Sequence, residues 1–385
     1  MLKNLSGWMK PKSSGTDLAN FPSSSKIYRD PLGVIFIIAP WNYPLQLLLL
    51  PLAGAIAGGN CVVLKPSELA PATSAIAAKI IREVFSPEYV LLVEGEGSEV
   101  IPVMMNGFRF DHVFFTGSIP VGKQIYQMAA KDLVPVTLEL GGKSPAIVEA
   151  DADIPVAARR IALGKWVNAG QTCIAPDYVL VHEKVKQRLI DELKTTINRF
   201  YTNDPESAYD YGRIINEKRF DKLLTYLQQG ELVCGGQHDR SQLYIAPTIL
   251  ENISMESAIM KEEIFGPILP VISYSNPDEA ISIIEKNSDP LSFYFFSGNK
   301  GNEEKWIERV PFGGGCINNT AWHFTNHHMP FGGVGNSGMG VYHGKYSFYN
   351  FTRAKPVMKT PVWFDPSIKY PSFKGKLKLF KWLFR

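Results

Sequence analysis

Cysteine is scarce in this chain: Cys61, Cys173, Cys234 and Cys316 are the only four in 385 residues. They lie far apart, and none forms a CxxC or Cys/His pair at zinc spacing. That argues against a metal site and against a disulfide framework. An excess of one charge is lacking too. Lys and Arg total 40 against 37 Asp and Glu, a formal net charge of +3. So weak a balance points to no nucleic-acid partner and no strong steering of a charged substrate. Long hydrophobic runs are also missing. The longest, "YPLQLLLLPLAGAIAGG" (43–59), contains Pro44 and Pro51 and ends at Gly58-Gly59, so it reads as a buried helix and not a membrane span. The opening "MLKNLSGWMK" has no apolar signal-peptide core. The expected location is therefore cytoplasmic, a reducing compartment with free thiols.

What is present is ordinary globular composition, 45% apolar and 20% charged. The length exceeds what one hydrophobic core normally organises, which predicts at least two domains. From residue 33 onward, short β-branched runs alternate with helical patterns. "VIFIIAP", "CVVLKP", "YVLLVEG", "DHVFFTGS" and "PVTLEL" read as strands separated by helices, and short connections between them favour a parallel, doubly wound sheet. The alternation resumes after Gly141-Gly142, with strands at "PAIVEA", "DYVLVHE", 231–235, 268–274, 292–297 and "GGCINNT", and helices at 155–168, 184–200 and 216–229. "FTRAKPVMKT" has the alternating character of an edge strand.

Several short stretches carry chemistry. "LELGGKSP" puts Glu139 at a strand end before two glycines, where α/β proteins place ligands; it also reads as a plain strand-end carboxylate. "NAGQTCIAP" sets Cys173 in a glycine-containing turn, where a thiol is accessible and nucleophilic, although free cysteines are mostly small buried hydrophobes. In "APWNYP" the prolines make a rigid turn around Asn42, whose amide can donate to a developing negative charge or cap the following helix. "FTGSIPVG" runs from a strand into a helix start suited to a phosphate, and "VVLKPSE" offers Lys65 and Glu68 to a ribose or as helix caps.

Together, "IAPWNYP", "VVLKPSE", "FTGSIPVG", "LELGGKSP", "GQTCIAPDY", "KEEIFGPI" and "MPFGGVGNSGMG" resemble, in order and spacing, the NAD(P)-dependent aldehyde dehydrogenases over roughly residues 27–360. "GQTCIAPDY" with "PFGGVGNSGMGVYHGKYSF" is most similar to the class 3 branch, which includes fatty-aldehyde dehydrogenases. The resemblance implies an α/β fold: a Rossmann-like cofactor domain, a second α/β catalytic domain and a β dimerisation arm. It assigns 1–25 to an irregular lead-in, 26–33 to the arm, 34–141 to the NAD(P)-binding domain, 142–345 to the catalytic domain, 346–362 to the arm again and 363–385 to a tail. By the same resemblance Cys173 is the nucleophile, Asn42 with the Cys173 N–H holds the oxyanion, and Glu139 activates the water that hydrolyses a thioester. Lys65 and Glu68 match the adenosine-ribose contacts, and Gly117 and Ser118 the pyrophosphate end, with Gly122 at the start of the following helix. Glu263 and Phe265 match the nicotinamide side. The cofactor is NAD, with NADP possible, and Glu68 favours NAD by repelling a 2′-phosphate. A homodimer is expected.

Relatives usually carry a further helical segment ahead of this start, so the resemblance leaves open a fragment, a mis-called start or a real short form, and leads us to expect a chain less soluble or less active than longer relatives. The tail "FKGKLKLFKWLFR" sets Lys374, Lys378, Lys381 and Arg385 on one side and Leu377, Phe380 and Phe384 on another. This is a basic amphipathic pattern suited to an anionic membrane surface, to packing on the protein, or to a partner. Two rival functions remain at this point: a coenzyme A-acylating dehydrogenase, which needs no water-activating base, and a catalytically impaired binding scaffold.

Overall fold

The structure, a computed structural model, describes residues 1–383, so the tail positions Phe384 and Arg385 lie outside the described residues. Two sheets make up most of it. The first has six strands, in the order Gly338–Met339, Val136–Glu139, His112–Thr116, Val34–Ile38, Cys61–Lys65, Val90–Leu92. Five are parallel, and Gly338–Met339 is antiparallel to Val136–Glu139. The central strand Val34–Ile38 is apolar throughout because it is covered on both faces. Ile35 and Ile37 join Leu48, Leu52 and Ile81 on one side, and Phe36 and Ile38 join Phe115, Ile125 and Ala129 on the other. The run expected to be a buried helix is one, Gln46–Ala57, with Leu48, Leu52 and Ala55 buried.

The second sheet has seven strands, in the order Glu231–Cys234, Thr248–Glu251, Ile268–Tyr274, Tyr178–His182, Pro145–Val148, Ser292–Phe296, Gly314–Ile317. Glu231–Cys234 is antiparallel to its neighbour and the rest are parallel. Helix Ile154–Trp166 starts cleanly: the Asp153 carboxylate accepts from Val156 N at 3.0 Å, and Pro155 occupies the first turn.

Two boundaries read from the sequence need correction. The segment 1–25 is not irregular: Leu2–Met9 is helical, and Lys12–Ser14 pairs antiparallel with Ser24–Pro31. That strand, "KSS", has no apolar residue, so no periodicity could announce it; the pairing supplies its hydrogen bonds. Ser24–Pro31 lies between Lys12–Ser14 and Thr352–Lys359, which makes the latter an edge strand as expected. Nor does 142–345 stay with the second sheet. Gly338–Met339 joins the first sheet, and Tyr342 packs in its core beside Phe351. Gly338 is in a conformation with φ 148, and a Cβ there would overlap the Leu138 carbonyl, so only glycine fits this crossing.

A buried ion pair ties three segments of the second domain together. Lys143 follows the Gly141-Gly142 turn and pairs with Asp177, and both are buried. The Lys143 ammonium also donates to Ile259 O at 2.7 Å and Glu262 O at 3.1 Å, and Asp177 accepts from Ile264 N at 3.0 Å. Lys143→Ala would leave the Asp177 carboxylate buried without its counter-charge, and we expect it to cost about 3–5 kcal/mol in a denaturant titration. A change below about 1 kcal/mol would mean that water readily replaces the ammonium.

Candidate active site

Cys173 lies beyond a break in the chain's regular structure. Helix Ile154–Trp166 ends with the Trp166 indole N–H donating to Pro267 O at 2.9 Å. The backbone then turns through Asn168 and Ala169, both left-handed (φ 52 and 51). Gly170 follows at φ 75, where a Cβ would run into the Gly266 backbone. Buried Gln171 pins the turn: its amide donates to Asn168 O (3.1 Å) and Arg213 O (2.9 Å), and its Oε1 accepts from Ile215 N (3.0 Å). From the other domain, Asn42 Nδ2 donates to Gln171 O at 3.0 Å, and the Tyr43 and Thr172 hydroxyls bond at 2.8 Å. The thiol is thus presented on a loop gripped from both sides.

Glu139 ends strand Val136–Glu139 with 3% of its surface exposed. Neither carboxyl oxygen has a hydrogen-bond partner among the described residues, and neither does the hydroxyl of Thr116, its register neighbour on the adjacent strand. Burial pushes the Glu139 carboxyl well above the usual carboxylate range. Cys173 and Glu139 line one cavity of about 300 Å³, walled by apolar side chains that include Leu163, Val167, Trp322, Phe324 and Phe331. Although Cys173 keeps partial access through this cavity, its thiol is pushed up to about 12, first by burial and then by the charges of Glu263 and Glu139.

Asn42 does not line the cavity, though its neighbour Tyr43 does. One Asn42 N–H is committed to Gln171 O, which leaves the second available, and its Oδ1 is unpartnered. Glu263 lies against the Gly141-Gly142 backbone, and burial, with the charge of Asp177, raises its carboxyl to about 8. Phe265 is held at φ 44, with its ring edge-on to Trp41 at 5.4 Å.

The remaining candidates sit at the carboxyl edge of the first sheet. The chain runs from Val34–Ile38 outward through Cys61–Lys65 and Val90–Leu92, then crosses back to His112–Thr116 on the other side. That reversal places "APWNYP" and "FTGS" at the crevice where α/β sheets bind ligands. Lys65 Nζ donates to Glu68 at 2.5 Å and to Pro66 O at 2.9 Å, which leaves one ammonium hydrogen free for a ribose hydroxyl. Partial burial would raise the Glu68 carboxyl, but the bond and charge of Lys65, together with the backbone amides of Glu68 and Gly97, outweigh it and keep Glu68 below the usual range. Ser118 precedes helix Ile119–Ala130. Two glycines do not offer their amides: Gly117 N donates to Glu139 O (3.0 Å) and Gly122 N to Ser118 O (2.9 Å). Gly122 instead admits the Leu140 side chain, which would lie 2.6 Å from a Cβ. Gln171, Tyr342 and Trp41 were not singled out from the sequence. The one signal for Tyr342 was an aromatic residue between the glycines of "GVYHG".

The comparisons with known proteins agree with this geometry. A model described as the aldehyde dehydrogenase family matches residues 5–357. The 4,4'-diaponeurosporen-aldehyde dehydrogenase of Staphylococcus aureus is 47% identical over 385 residues, spanning 100% of this chain and 83% of that protein. Aldehyde dehydrogenase family 3 member H1 of Arabidopsis thaliana is 44% identical over 386 residues, spanning 99% and 79%. Among solved structures, a substrate-bound state of Staphylococcus aureus AldH has a TM-score of 0.96 at 47% identity, covering 100% of this chain and 84% of that one. An NAD-dependent aldehyde dehydrogenase from Sinorhizobium meliloti has a TM-score of 0.86 at 32% identity, covering 94% and 73%. The matched family model, with a thiol and a buried carboxyl facing one apolar cavity, gives the identification: this chain belongs to the aldehyde dehydrogenase family, with class 3 members among its relatives.

Proposed function

We propose that the chain oxidises medium- or long-chain aliphatic or aromatic aldehydes to carboxylic acids through a thioester on Cys173. The observation that carries this reading is the single apolar cavity lined by both Cys173 and Glu139. The Cys173 thiolate attacks the aldehyde carbon, and the resulting oxyanion takes the free Asn42 N–H and the Cys173 N–H. NAD(P)+, bound by Lys65, Glu68, Ser118 and Glu263, is the two-electron acceptor that makes this an oxidation. Glu139 then removes a proton from the water that cleaves the thioester. The ionised Glu68 disfavours a 2′-phosphate and supports NAD over NADP. The apolar walls favour lipid-like substrates, in line with the carotenoid aldehyde in the name of the Staphylococcus relative. Glu139 argues against coenzyme A as acyl acceptor, because a thiol acceptor needs no water-activating base.

The proposal extends to assembly. The exposed arm strand Thr352–Lys359 has a free edge suited to a two-fold homodimer. The tail carries Lys374, Lys376, Lys378 and Lys381 beside exposed Trp363, Phe373, Leu377 and Trp382 and ends in the short helix Leu377–Leu383; it is proposed to rest on an anionic membrane surface. Among the described residues, no helix is long and apolar enough to cross a membrane.

Reduced-nicotinamide absorbance with NAD and a medium-chain aldehyde tests the chemistry. Cys173→Ala should abolish turnover, and Glu139→Gln should allow at most one burst. Absence of turnover in the unmodified protein would favour the scaffold reading, and strong acceleration by coenzyme A the acylating one. The Cys173 thiol must lose a proton that burial holds more tightly than usual, so kcat/KM should climb through neutral pH and still be rising at about pH 9. A flat or falling profile would contradict that assignment. Sedimentation should give a species of about twice 42.9 kDa, which should pellet with phosphatidylserine vesicles at low salt and not with phosphatidylcholine alone. A monomer would remove the dimer, and failure to pellet would remove the membrane contact.

A further inference from the structure

Among the polar groups of the cavity that have no part in the chemistry above is the hydroxyl of Tyr342. Its ring is fixed from several sides. It stands edge-on to Phe114 (5.0 Å), Phe331 (5.8 Å) and His343 (4.4 Å). Its backbone is bridged to Phe331 in both directions, with Phe331 N donating to Tyr342 O at 3.0 Å and Tyr342 N to Phe331 O at 2.8 Å. The ring therefore has little freedom to turn its hydroxyl away.

The residue lines the same cavity as Cys173 and Glu139 and is only 2% exposed. Its hydroxyl makes no hydrogen bond to any described residue. Burial first, and then the charges of Glu139 and Cys173, push the phenol well above its usual value and keep it in its protonated, donating form. Glu139 presents two unpartnered oxygens to the same space. A hydroxyl and a carboxyl facing one cavity without protein partners are the setting in which an ordered water is bound, because each group otherwise loses a hydrogen bond.

We infer that Tyr342 is a positioning residue for hydrolysis, donating its O–H to the water that Glu139 deprotonates. The water oxygen then has one lone pair held by Tyr342 and one directed at the thioester carbon. As the C–O bond forms, the water proton passes to Glu139. The C–S bond breaks, and that proton goes to the departing Cys173 sulfur, so thioester and water give carboxylic acid and thiol. The inference rests on the thioester reading of the preceding subsection.

Tyr342→Phe is the test, because it keeps the ring and its packing and removes only the hydroxyl. Hydrolysis follows the oxidation step, so slowing it should lower kcat and KM together, by about tenfold, and leave kcat/KM nearly unchanged. A burst of about one reduced nicotinamide per site should appear, and intact-protein mass should show an acyl group that is absent from a Cys173→Ala, Tyr342→Phe double variant. A purely packing role would lower kcat/KM or the melting temperature instead, with no adduct, and that result would overturn the inference. So would an unchanged kcat. If the unmodified protein fails to reduce NAD with an aldehyde, both this inference and the reading beneath it fall. If it turns over, Cys173→Ala is dead and Tyr342→Phe behaves like the parent, only the role of Tyr342 falls.

Discussion

The buried ammonium of Lys143 ties the second-sheet half of this molecule together. It meets the Asp177 carboxylate and two backbone carbonyls, while Asp177 takes the amide of Ile264. The partners come from the turn after Glu139, from the strand that follows Cys173 and from the loop bearing Glu263 and Phe265. Desolvating a charge is costly unless each of its hydrogen bonds is replaced, so this cluster tolerates few alternative arrangements. The position of the thiol relative to the carboxyl follows from it. Gln171, Asn42 and the Tyr43–Thr172 pair complete the grip on the Cys173 loop.

The cavity itself follows the opposite rule. Where Lys143 and Asp177 are fully hydrogen-bonded, the reacting centre leaves Glu139 and Thr116 unpartnered. Burial then holds the Glu139 carboxyl protonated more tightly than usual and resists ionisation of the Cys173 thiol. Such a site is quiet in the free protein and depends on what enters it to supply hydrogen bonds. The same apolar walls that perturb these groups limit the access of bulk water to them.

Much of the fold was legible in the chain. "VIFIIAP" announces a strand buried on both faces because every residue is apolar or β-branched, and the strand–helix alternation implies the parallel sheets found. Cys173, Glu139 and Asn42 were visible through the motifs around them, though each side chain alone admitted a bland reading. Lys12–Ser14 was not legible, because a short polar strand has no periodicity and exists only through its partner Ser24–Pro31. Tyr342 was hidden differently: in the sequence it falls within the stretch 142–345 assigned to the catalytic domain, yet it packs in the core of the first sheet.

The sequence by itself determined most of the element types, and through its resemblance to a known family it picked out the candidate nucleophile and base, since these depend on local pattern and residue type. Only the tertiary structure decided that Glu139 lies in the same cavity as Cys173, that Gly117 and Gly122 spend their amides internally, and that Gly338–Met339 returns to close the first sheet. Those outcomes depend on burial and on pairings between distant segments, and no local pattern of residues encodes the environment that a side chain meets once the chain has closed on itself.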